Sequence, residues 1–122
     1  MATEITIREQ LNFGSDCLKI WGTDGTVIDV SLASLGFFDV PSKEIFHKRY
    51  DELSPQFQPN GKPSKTAMLD WVTYTFEQGV ASFDWLYKKL DGRHMDCCTD
   101  VYNSLFESKS RVRDHLRKIR ML

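Results

Sequence analysis

Metal binding, acid–base catalysis and thiol chemistry each need particular side chains to converge, so the candidates for each come first. The three histidines, His47, His94 and His115, fall on three separate predicted elements without Cys, Asp or Glu partners at metal-ligand spacing. His47 stands beside Lys48 and Arg49, and His94 follows the turn at Gly92, so both read as solvated surface residues. Cys17, Cys97 and Cys98 are odd in number and lack zinc-finger spacing, and the adjacent pair is poorly placed for an ordinary disulfide. Reduced thiols are expected, with Cys97 pointing inward as a small hydrophobe and Cys98 outward. The acidic residues are scattered, and Asp24, Asp29, Asp91 and Asn60 suit turns or strand ends, so no acid–base site is assembled and the chain is not expected to be an enzyme. Two polar residues break this pattern. Strand alternation places Thr99 and Asp114 on the face that packs against helices, where an unpartnered carboxylate is costly. Asp114 therefore pairs with Arg113, Arg117 or a polar ligand, or else a bulge turns it outward to an exposed edge, which is the simpler reading.

The rest of the composition describes a single folding unit. A length of 122 residues suits one domain, and 41% hydrophobic against 27% charged residues is enough to build a core. A formal net charge of -1 lacks the basic footprint of a nucleic-acid binder. No apolar run reaches the roughly 20 residues needed to span a bilayer, and Glu4, Arg8 and Glu9 interrupt any signal-peptide core at the start. A cytoplasmic protein without membrane insertion is the expectation.

The elements follow from periodicity. Thr3 to Leu11, with Ile5, Ile7 and Leu11 among charges, suits an amphipathic helix at a domain edge. Cys17–Gly22 and Val27–Val30 flank Thr23-Asp24-Gly25-Thr26 and predict a hairpin. Leu32, Leu35 and Phe38 share one face of a short helix, and Ser42 can cap a second one carrying Ile45 and Phe46. Prolines, Asn60 and Gly61 make Leu53 to Ser64 irregular. Ser64 to Gln78 is the longer helix, with Ser64 as N-cap, Met68, Trp71, Val72 and Phe76 at helical spacing, and Gly79 as its stop. Period two then sets in at Phe83, Trp85 and Tyr87, ending at Asp91-Gly92. Met95–Phe106 and Val112–Ile119 follow as strands around a turn at Ser108-Lys109-Ser110. The predicted class is α+β: an antiparallel sheet of about five strands, with short helices and one longer helix on one face and a flanking N-terminal helix. Residues 1–13 form that flanking helix and 14–122 the domain.

With this element order, several stretches resemble the PAS family of sensory domains. The run Leu18 to Val30 (LKIWGTDGTVIDV) resembles the family's opening hairpin, and Ser31 to Phe38 its first short helix, although Ser31 stands where Asn is frequent. More specific is Leu53 to Ser64 (LSPQFQPNGKPS), similar to an LSPxxQPdGxxS stretch before the long helix in a subset of bacterial PAS domains. Phe83 to Gly92 (FDWLYKKLDG) resembles that subset's FEWxHRRxDG strand. The customary RDIT ending is represented only by Arg117-Lys118-Ile119-Arg120.

The resemblance implies a sensory and signalling domain that binds a small molecule, mediates dimerisation, or both, to regulate an effector. Such effectors are histidine kinases, cyclic-dinucleotide enzymes and chemotaxis receptors. The alternative is a ligand-free docking and dimerisation module. No cofactor or metal is expected: no flavin-type GxNCRFLQ motif surrounds a cysteine, and Ser64 to Gln78 carries no histidine to ligate haem. The ligand wall, if there is a cavity, comprises Phe38, Leu53, Met68, Trp71, Val72, Phe83, Trp85 and Thr99, although the aromatics at these spacings are first of all core residues. Homodimerisation is expected through Thr3 to Leu11, whose apolar stripe would otherwise be little covered.

Overall fold

The structure, a computed structural model, describes residues 4–106 and 109–122, so the turn expected at Ser108 to Ser110 falls partly outside the described residues. The hairpin forms where the Asp24-Gly25 turn allows it: Gly25 takes φ 82°, which a β-carbon would resist. It joins β1 (Leu18–Trp21) to β2 (Val27–Val30). Three short helical pieces follow, α2 (Leu32–Phe38), α3 (Lys43–Lys48) and a 3-10 turn (Tyr50–Leu53). The Ser31 and Ser42 side chains cap α2 and α3 by accepting from the Ser34 and Ile45 amides. The longer α4 (Ser64–Gln78) is stopped by Gly79 at φ 91°, and the chain then runs through β3 (Val80–Lys88), β4 (His94–Phe106) and β5 (Lys109–Met121). The strand order is β2-β1-β5-β4-β3, antiparallel throughout.

One face of this sheet carries the main core. Phe38 of α2, Phe46 of α3, Leu53, and Ala67, Met68 and Val72 of α4 pack onto Trp21, Trp85, Tyr87, Cys97, Val101 and Val112. Trp85 is buried as its alternation requires, whereas Trp71 is half-buried at the α4 surface, stacked on Phe83 with ring centroids 4.3 Å apart.

The other face is covered by α1 (Glu4–Phe13), whose Ile7 and Leu11 are buried with Leu18, Ile20 and Phe106. The helix lies over its own sheet and not at an edge, so the Ile7 and Leu11 part of the stripe is satisfied within the chain. That covers two of the three apolar residues from which a homodimer through Thr3 to Leu11 was expected; the Ile5 side chain lies outside the described ones.

The irregular stretch before α4 is ordered by polar contacts. The Gln58 side-chain amide donates to the Leu86 carbonyl at 3.0 Å and accepts from the Leu86 N–H at 2.9 Å, standing in for a strand neighbour on the free edge of β3. Its nitrogen also donates to the Ser64 hydroxyl, which donates in turn to the Pro55 carbonyl. Ser64 is thus the first residue of α4 and a tie to the loop, not the side-chain cap the sequence suggested; Pro63 holds the cap position. Gln58 and Ser64 thus dock the loop on the sheet edge.

If α1 is a structural layer, Leu11→Ala should cost about 2–5 kcal/mol in urea or guanidinium melts. A loss below about 1 kcal/mol would detach α1 from the sheet.

Candidate functional site

Side chains alternate across β1, so Leu18 and Ile20 go to α1 while Lys19 and Trp21 enter the main core. Lys19 lies opposite Asp114 of β5, and Asp114 opposite Val101 of β4. The Lys19 Nζ sits 3.1 Å from the Asp114 carboxylate, with both side chains at most 1% exposed. The Trp21 indole N–H donates to the other oxygen of the same carboxylate. Nζ also lies 4.7 Å from the centroid of the Tyr87 ring and 5.7 Å from that of Phe38, so two aromatic faces share the cation. Burial alone would pull the Lys19 pKa down, but Asp114, aided by its other neighbours, outweighs burial, and the net shift is upward. The ammonium stays charged.

Asp114 therefore points inward and finds its partners in Lys19 and Trp21, not in Arg113 or Arg117 and not at an exposed edge. A bulge does exist in β5, but it lies further on. Cys98 pairs with Lys118 and Thr99 with Leu116, which leaves Arg117 as the extra residue and Asp114 in phase with the core. Arg113 faces the opposite side, its guanidinium 5.0 Å from the Tyr102 ring centroid.

Around the pair are further polar groups. Thr99 is fully buried, as its alternation required, and its hydroxyl has no hydrogen-bond partner. The Tyr50 and Tyr87 hydroxyls are also buried and meet each other without well-aligned geometry, and burial raises both phenol pKa values well above the usual range. Cys17 and Cys97 close the cluster. Burial raises the Cys17 thiol and pushes Cys97 up to about 12, so both stay protonated. Cys98 faces the other way, with its sulfur 3.3 Å from an Asp84 carboxylate oxygen.

A groove of about 1050 Å³ opens beside this cluster, between the hairpin, the 3-10 turn and the start of α4. Its floor is Trp21, Tyr50, Met68 and Trp85, and its rim carries Asp24, Asp51, Glu52, His47, Lys65 and Lys88. Of the residues predicted to bind ligand, Met68 and Trp85 line this groove. Trp85 and Trp71 also line a smaller one of about 570 Å³ on the far side of α4. Phe83 is half-buried under Trp71, while Phe38, Leu53, Val72 and Thr99 are packed inside, at most 2% exposed, and line neither groove. Trp21, Tyr50 and Lys19 were missed. Lys19 escaped because it lies between Leu18 and Ile20 in a strand buried on both faces; the signal was Asp114, whose inward register calls for a base on the adjacent strand.

Among the described residues, no group of three or more His, Cys, Asp or Glu side chains is placed to hold a metal ion, and no helix is long and apolar enough to cross a membrane. No protein-family model matches the sequence, and no curated protein does. Solved structures do. The PAS domain of an HTR-like protein from Haloarcula marismortui superposes with a TM-score of 0.70 at 15% identity, covering 95% of this chain and 88% of that one. The PAS domain of nitrogen regulation protein NR(II) from Vibrio parahaemolyticus gives 0.65 at 17% identity, over 89% of this chain and 94% of that one. The fold is that of a PAS domain. The PAS domain of the fruit-fly ELK potassium channel, at 10% identity, still reaches 0.62 over 94% of this chain and 96% of that one. At such identities the likeness concerns backbone geometry, so the buried ion pair and the groove of this chain are read from its own residues.

Asp114→Ala should lose about 3–5 kcal/mol of stability by stranding the Lys19 charge. Replacing both partners, as Lys19→Met with Asp114→Leu, should recover most of that loss; equal losses in both variants on denaturant titration would show that the charges are not the issue. A thiol titration with Ellman's reagent should find Cys98 reactive in the native protein and Cys17 and Cys97 reactive only after denaturation, since burial favours their thiol forms. Prompt reaction of all three would mean that the core opens readily.

Proposed function

We propose that this PAS domain is a sensory and signalling module that takes a small organic molecule into the groove floored by Trp21, Tyr50, Met68 and Trp85. Occupancy would regulate an effector of the histidine kinase, cyclic-dinucleotide enzyme or chemotaxis receptor type supplied by other sequence. The observation that carries this reading is the double position of Trp21: its ring lines the groove and its N–H is bonded to Asp114 in β5, the middle strand of the sheet. A molecule resting on that ring would bear on the strand that ends the domain, and a shift between two sheet arrangements is how a binding event can leave a module without catalysis. The solved relatives support a signalling setting, because those domains come from a nitrogen regulation protein and a two-component sensor histidine kinase. The ligand would be held by apolar area and a few hydrogen bonds, with no metal or haem as its anchor.

A second reading is a docking and dimerisation module with a filled interior. It is favoured by the complete burial of Phe38, Leu53 and Thr99, and by Phe13 and Val80, left 87% and 60% exposed on the α1 side of the sheet.

Native mass spectrometry of freshly purified protein separates the two. Added organic mass that is lost on denaturation, and reduced by Trp85→Ala, is the expected result. A bare dimer would give the docking reading precedence, and a Soret band or stoichiometric metal would overturn the organic-ligand proposal.

A further inference from the structure

The polar cluster behind the groove holds buried groups whose hydrogen bonds are incompletely made, and one of them, Lys19, can only donate. Lys19 offers three N–H groups, and its one polar partner is Asp114. Asp114 is already engaged by Lys19 and by the Trp21 indole. That leaves the remaining Lys19 N–H groups over the Tyr87 and Phe38 rings, and the Thr99 and Tyr87 hydroxyls without aligned acceptors, all in residues with 0% exposure. A core meant only to be filled would hold apolar groups here, because each buried donor left unmade carries a desolvation cost.

Charge then narrows what could answer these donors. Lys19 and Asp114 neutralise each other, so an ionised group brought beside them would leave an uncompensated charge in a closed interior. An uncharged acceptor satisfies the donors at no such cost. The way in is short: Trp21 and Tyr50 separate cluster from groove, meeting edge to face with ring centroids 5.3 Å apart. Tyr50 is the movable one. It starts a 3-10 turn that has no side-chain cap, and its hydroxyl meets that of Tyr87 without well-aligned geometry.

Building on the groove reading above, we propose that the ligand is an uncharged molecule with an apolar body and a carbonyl-type acceptor head. The body rests on Trp85 and Met68, and the head passes Tyr50 to accept hydrogen bonds from Lys19, Thr99 and Tyr87. This also gives the fully packed Phe38 and Thr99 a place in the site that the groove alone denies them.

Three probes that share a phenyl body test it: benzylacetone with a ketone head, hydrocinnamate with a carboxylate, and butylbenzene with none. Their binding is followed by amide NMR titration of the wild-type chain, of Thr99→Val, and of the charge-free pair Lys19→Met with Asp114→Leu. Benzylacetone is expected to bind about tenfold or more tighter than either other probe, shifting the amides of Thr99 and Asp114. The preference should shrink in Thr99→Val and vanish in the double variant while butylbenzene affinity is kept. Equal binding of all three probes, or a ketone preference that survives both variants, overturns the acceptor-head proposal and leaves the groove reading standing. Tightest binding by hydrocinnamate overturns it as well, since the head would then be ionic. Failure of every probe, butylbenzene included, overturns the groove reading and this inference together.

Discussion

A lysine and an aspartate facing each other on adjacent strands, buried on the core side of the sheet, impose the strictest constraint on this fold. Because side chains alternate with a period of two, sliding β1 against β5 by one residue would bring neither charge to its partner and would expose Leu18 and Ile20 to the wrong layer. The pair thus fixes the register at the centre of the sheet. The bulge at Arg117 is placed accordingly: it falls beyond Asp114, so the first half of β5 keeps Val112 and Asp114 inward, and the second half resumes with Ile119 on the same side. Specificity of register is one of the better-attested uses of a buried polar contact, whereas net stability is not.

The same pair divides the interior. Toward α4 the surface is aromatic and aliphatic, and it opens to solvent as the groove; toward the middle of the sheet it is rich in hydroxyls, thiols and one ammonium. Trp21 belongs to both halves, with its ring in one and its N–H in the other. An indole suits that position because it combines a large apolar face with a single directional donor.

Most of the architecture was legible from periodicity, and the exceptions have physical causes. Helix α4 and strand β3 announced themselves because each has one solvated face, so Met68 and Val72 recur at helical spacing and Phe83, Trp85 and Tyr87 at period two, with Asp84 and Lys88 on the opposite side of the strand. Strand β1 has no solvated face, since α1 covers its outer side, and a Lys among apolar residues there gives no sign of which way it points. Trp71 fits the helical stripe but lies at its margin, where the stripe ends and Phe83 stacks on it while Tyr74 meets it edge to face. Ser64 has the composition of a cap, but the preceding proline and the Gln58 amide claim that corner of the structure first. The candidate site was legible in part for the same reason: Met68 and Trp85 are periodic, whereas Tyr50 lies on a single turn too short to have a period.

Gln58 has a consequence that reaches beyond its own loop. Strand β3 ends the sheet on one side, and a strand edge with free amides and carbonyls is a template on which another chain can add itself. By meeting both backbone groups of Leu86 with its side chain, Gln58 occupies the template in the middle of the Phe83 to Lys88 run, the most aromatic stretch of the strand. A foreign strand pairing there would first have to displace the side-chain amide and free the loop that Ser64 holds. The loop that positions α4 therefore also guards this domain against edge-to-edge aggregation.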